Sequence, residues 1–129
     1  MAVRTILTDP VPEKSTRYLS FTITDVDGVT PLVGADVLLT SLAVSLFDAA
    51  SKGIINSRSV MSVLNTNGGS VSAAGVVILR LDAADTAILN PRTQSEQHVA
   101  CFQWAWGVAP VKSSAYEIEF TVVNLLKVP

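Results

Sequence analysis

The sequence predicts an all-β protein, and three observations carry that prediction. In His98-Val99-Ala100-Cys101-Phe102-Gln103-Trp104-Ala105-Trp106 the large apolar side chains Phe102, Trp104 and Trp106 fall on one parity. In Tyr116-Glu117-Ile118-Glu119-Phe120-Thr121-Val122 two acids and a threonine sit between apolar neighbours. Turn signals such as Asn65-Thr66-Asn67-Gly68-Gly69 break up the rest of the chain into short runs. Period two marks a half-buried strand, because successive side chains leave a strand on opposite faces. Gly107 to Ser114, with Pro110 inside, is long enough to turn one strand back on the other, so the chain closes with a β-hairpin whose inner face is aromatic.

The elements follow in order. Residues 1–15 carry Asp9-Pro10-Val11-Pro12, and two prolines in three positions prevent regular ladder pairing and favour an extended path. This stretch is expected to be an arm leading into a single domain over 16–129; ordinary fraying of a terminus is the plain alternative. Thr16 to Asp25 predicts a strand with Leu19, Phe21 and Ile23 on one face, ended by an Asp25-Val26-Asp27-Gly28 turn. A calcium loop would need further acidic ligands, and Val29-Thr30-Pro31-Leu32 supplies none. Val37 to Asp48 fits a helical stripe as well as a strand. Its flanking turn favours a strand over Leu42–Phe47, and Gly53-Ile54-Ile55-Asn56 is expected to begin the partner strand. Val60 to Leu64 is apolar but too short to classify.

Gly75 to Leu81 is apolar on both parities, which predicts a central strand covered on both faces. Asp82-Ala83-Ala84-Asp85 then predicts a short helix over 82–89, with Asp82 accepting free amides of its first turn and Asp85 adding charge at the positive end. Arg92 to Gln97 connects it to the hairpin. About seven strands at this spacing predict an antiparallel sandwich of immunoglobulin-like type, with a jelly roll as the competing arrangement.

Composition narrows the function. At 129 residues the chain has the size of one domain. Only 16% of residues are charged, against roughly 25% in an average soluble domain, and mean hydropathy is high. Either partners cover part of the surface or the core is generous. The net charge of −2 with no basic block gives no ground for nucleic acid binding. The longest apolar-looking run, Val37 to Phe47, is far short of the ~20 residues that cross a bilayer as a helix, and the first ten residues lack the apolar stretch of a secretory signal.

Catalytic patterns are missing. Cys101 is the only cysteine, which rules out an intrachain disulfide, and its odd separation from His98 on a strand puts the two on opposite faces. His98 lies within an apolar strand, where a structural role is expected rather than that of a base. With one histidine and one cysteine, a zinc site would have to be filled with carboxylates. No glycine-rich phosphate loop opens a helix. Trp104 and Trp106 share the inner parity and are expected in the core. The chain is therefore expected to be no enzyme and to hold no cofactor or metal.

Several stretches together are similar to small virion structural proteins of tailed bacteriophages: Ile6-Leu7-Thr8-Asp9-Pro10-Val11-Pro12-Glu13-Lys14-Ser15-Thr16, Leu19 to Gly28, Leu46-Phe47-Asp48 with Gly53-Ile54-Ile55-Asn56, Val63-Leu64-Asn65, Leu81-Asp82-Ala83-Ala84-Asp85, and Phe120-Thr121-Val122-Val123-Asn124-Leu125. The succession of strand, Asp-Gly turn, strand and closing Phe-x-Val-x-Asn-Leu also resembles immunoglobulin-like domains of phage baseplate and tail proteins. The likeness is one of pattern and spans most of the chain. It implies a non-enzymatic virion component that decorates or reinforces the head or the head–tail junction. Its partners would be capsid or neck subunits and copies of itself, with neither nucleic acid nor membrane. The expected contact residues are Val3, Ile6, Leu7, Pro10 and Pro12 in the arm and Leu125, Leu126 and Val128 at the other end. The alternative is a tail or baseplate module that recognises a host-surface glycan, which needs Trp104 or Trp106 on the outer face.

Overall fold

The computed structural model describes residues 3–25, 29–90, 92–107 and 111–124. Leu125, Leu126 and Val128 lie outside them, as does the Val26-Asp27-Gly28 part of the expected turn. Among the described residues the elements run β1 (Val3–Ile6), β2 (Val11–Pro12), β3 (Arg17–Thr22), α1 (Ala35–Leu38), β4 (Leu39–Asp48), β5 (Met61–Ser62), β6 (Gly69–Val71), β7 (Val76–Leu81), β8 (Ser95–Trp106) and β9 (Lys112–Val123). One sheet has the order β1-β9-β8-β4-β5, with β2 also on β9; the other has the order β3-β7-β6. β1 and β2 run parallel to β9, and the remaining pairs are antiparallel. The protein is thus a mostly β molecule in a sandwich-like arrangement, as its alternation predicts.

The alternating residues fill the space between the layers. Leu19 and Phe21 of β3, Ile23 just beyond it, Leu42, Val44 and Leu46 of β4, and Val77, Leu79 and Leu81 of β7 are buried, together with Phe102, Trp104 and Trp106 of β8 and Ile118, Phe120 and Val122 of β9. No disulfide ties the layers. Phe21 of the smaller sheet instead meets three rings of the larger one, with centroids 4.8 Å from Phe102, 4.9 Å from Tyr116 and 5.4 Å from Trp104. Ring pairs at such distances add roughly 0.5–1.5 kcal/mol each beyond the area they bury.

Four expectations are corrected. The prolines of the arm do not prevent pairing, since Val11–Pro12 joins β9 as a short parallel strand. Residues 82–89 form turns, not a helix; among the described residues the one helix is the single turn at Ala35–Leu38, opened by Gly34 at φ +78°. The partner of β4 is β5 at Met61–Ser62, and the 53–56 stretch contributes only an isolated bridge between Ile54 and Phe47. Left-handed φ values at Lys52, Asn56 and Ser57 break that stretch before a ladder can form. β7 is central between β3 and β6, but it is covered on one face only, since Ile78 is 39% exposed. A two-layer sandwich leaves each sheet an outer face, and the second apolar parity of β7 lies on it.

Elsewhere the turn chemistry is as read. Asn65, Asn67 and Gly68 all take positive φ, turning the chain into β6. The next residue, Gly69, has no room for a side chain: a β-carbon there would overlap the Val63 carbonyl oxygen. The closing hairpin is longer than its alternation suggests, twelve residues on each strand, paired from Ser95↔Val123 to Trp106↔Lys112.

Candidate functional site

Polar side chains gather at the end of the sandwich where β4 finishes and β8 begins. Asp48, the last residue of β4, stands opposite His98 of β8. Glu96, two residues before His98, shares its face because strand side chains repeat every second residue. All three are buried: Asp48 is 6% exposed, Glu96 8% and His98 0%. Beside them lies a cleft of about 730 Å³, within the range of small-molecule sites, with Asp48, Ala50, Leu89 and Glu96 among its walls.

The hydrogen bonds define what this cluster does. Glu96 Oε1 accepts from the Leu89 amide at 2.8 Å and from His98 Nε2 at 2.9 Å, and Oε2 accepts from the Asn90 amide at 2.7 Å. Asp48 Oδ2 accepts from the Ser51 amide at 2.8 Å. A ring nitrogen facing a carboxylate acts as donor, so Nε2 carries the proton. Nδ1 is buried without a partner, and the ring edge packs on Phe120 at 5.8 Å. The three side chains offer ligand atoms within 4.8 Å of one another, a donor set a divalent cation accepts. Three of the four carboxylate oxygens are nevertheless already engaged by loop amides, and no partner orients Nδ1 as the second nitrogen of a ligating histidine usually is. Through Glu96 the cluster braces the 89–90 loop on β8, while Asp48 closes its own 48–51 turn.

A second buried group stands at the same end. Arg58 grips Asp85 with both arms, Nε to Oδ1 at 2.6 Å and Nη2 to Oδ2 at 3.1 Å. Asn56 Nδ2 donates to Oδ1 and the Asp82 amide to Oδ2, each at 2.8 Å. Burial pushes the Asp85 carboxyl up, but the bonds from Arg58, Asn56 and the Asp82 amide, with the guanidinium charge, outweigh it and hold the group below the ordinary carboxylate range. Asp82, expected as the cap, instead lies outside in an exposed pair with Arg80, and it is Asp85 that reaches back to the amide of Asp82.

The expected contact residues divide. Val3 to Ile6 pair with Tyr116 to Glu119, and the Thr5 hydroxyl is hydrogen-bonded to that of Tyr116. Leu7 is half-buried against the core, whereas Ile6 is 60% exposed and Pro10 and Pro12 face solvent. Val11, which the sequence reading did not single out, is 0% exposed. Its signal is its place between two prolines: if both rings face outward, the residue between them faces in. Glu96 was legible too, since it continues the inward parity of His98, Phe102 and Trp104. Trp104 and Trp106 are each 5% exposed and offer no ring face to a sugar. Cys101 is half-buried on the opposite parity. No family model, no curated protein and no solved structure matches the chain.

Proposed function

We propose that this chain is a non-enzymatic structural component of a bacteriophage virion, decorating or reinforcing the head or the head–tail junction by burying surface against neighbouring subunits. One observation carries the reading. Residues 3–12 form an arm with two short strands added along the edge of β9, and Val11 plugs the core beneath it. Strand addition to a sheet edge is a general mode by which one chain holds another, because the ladder supplies affinity and alternate side-chain pockets supply register. The polar groups at the β4–β8 end support the same reading, since they bind loop amides and each other. The strand order, with β9-β8-β4-β5 facing β3-β7-β6, supports an immunoglobulin-like sandwich. The likeness to small virion proteins supplies the setting. Repetition around a symmetric shell or ring turns modest contacts into high avidity.

The test is co-sedimentation of the purified full-length chain with emptied particles of the phage that encodes it. Saturable pelleting with the particles is expected. A chain that stays in the supernatant, while glycans of the host surface quench its tryptophan fluorescence, overturns the proposal in favour of a recognition module.

A further inference from the structure

We infer that the N-terminal arm is an exchangeable latch, and that its partner is a second copy of this chain, which takes the arm into the same β9 groove. The inference rests on the arm as an assembly device and names what it holds. Three observations carry it.

The arm leaves without dismantling the body. Residues 3–6 and 11–12 pair only with β9, which is also paired with β8 along its whole length. Every bond the arm makes along β9 is reproducible in trans: Leu7 N to Glu119 O, Glu13 N to Val123 O, and the two parallel ladders. Domain exchange keeps such contacts and alters only the hinge.

An empty groove is costly. Withdrawal uncovers the row of unpaired groups along β9 and the core site of Val11, which is 0% exposed. Any second arm of the same sequence refills both. Detachment in turn costs the arm little order, because Pro10 and Pro12 keep a free arm extended.

The hinge is strained in the closed form. Between β2 and β3 the chain turns at Lys14, whose φ of +57° is a left-handed conformation that a residue with a β-carbon adopts at a cost. The Lys14 amide donates to the Thr86 carbonyl at 3.3 Å and the Ser15 amide to Thr86 Oγ1 at 2.9 Å, which pins the turn on the body. An open hinge, running straight from one copy to the next, releases the strain at two lysines per dimer.

Light scattering of the full-length chain after incubation from ~10 µM to ~1 mM tests the idea, because exchange makes association concentration-dependent. A dimer that accumulates with concentration and persists on dilution is expected. Lys14→Gly, which removes the closed-form strain without touching the groove, should raise the dimer Kd by roughly tenfold or more. Val11→Asp should abolish the dimer while the body keeps its circular dichroism spectrum. A chain that is monomeric across the range, a dimer indifferent to Lys14→Gly, or a dimer that survives Val11→Asp overturns the inference. Particle binding by a strictly monomeric chain would leave the proposed function standing and remove the exchange alone.

Discussion

The half of the sandwich around Phe21 and the half around Asp85 share the same strands but are held by different forces. Toward the Trp106–Lys112 end of the β8–β9 pair, the inward positions of β8 carry Phe102, Trp104 and Trp106, and Phe21 clasps the layers through ring contacts. The loops at that end expose apolar side chains, with Val29, Val33 and Val37 each about four-fifths open to solvent. Toward the other end the inward positions of the same strand become Glu96 and His98, and the layers are joined by a buried ion pair and carboxylate-to-amide bonds. Dispersion and apolar burial are non-directional and indifferent to pH. Charge-assisted bonds demand geometry and protonation state. Long strands can therefore keep one alternation of inward positions while changing the chemistry placed there.

The largest expected effects set one half against the other. Phe21→Ala should cost about 3–5 kcal/mol, as deletion of a buried ring does. Arg58→Ala should cost about 3–5 kcal/mol as well, because it strands a buried carboxylate. Urea midpoints at neutral pH will not separate the two variants; their pH dependence will. The folded-state value of Asp85 lies below its unfolded value. Its stabilisation is therefore complete above the ordinary carboxylate value of ~4 and is lost as pH falls through the depressed folded value. The deficit of Arg58→Ala should shrink in that acid window, while that of Phe21→Ala stays constant. Equal behaviour of the two would erase the distinction between the halves.

A double replacement sharpens the point. Arg58→Met with Asp85→Leu removes both charges together and should restore most of the stability lost by either single change, since hydrophobic substitutes for a buried pair are often neutral or better. Next in size is Glu96→Ala, which unties Leu89, Asn90 and His98 at once. A loss of about 2–3 kcal/mol is expected, of the order of a buried, charge-assisted site left unsatisfied. Hydrogen exchange should quicken first at the Leu89 and Asn90 amides. Unchanged protection there would mean that the brace does not hold the loop.

How far the sequence foretold these halves depends on the range of the interactions. Alternation is local, so the inward parity of Phe102, Trp104 and Trp106 could be read directly, and the same parity carried back along the strand places His98 and Glu96 inside. Their partners could not be read, because the 89–90 amides come to Glu96 only when the loop folds back. Arg58 and Asp85 are 27 residues apart, with no periodicity to link them. That distant partner also explains the missed helix. Two aspartates three apart look the same at a helix start and in a tight turn, and the buried guanidinium at Arg58 decides for the turn. β5, two residues long, is below the length at which period two means anything.

The smallest expected effect lies at the apolar end. Val37 sits in the one-turn helix, 80% exposed, with no described bond from its side chain. Lysine is a slightly better helix former than valine, and little apolar area is lost by the change. Val37→Lys should therefore alter unfolding free energy by no more than about 0.5 kcal/mol, the ordinary range for an open surface position. The same substitution at Val44, 0% exposed on β4, should unfold the protein. A large loss at Val37 would mean that the loops at this end hold the ring-lined half together, and that its stability does not reside in the clasp around Phe21.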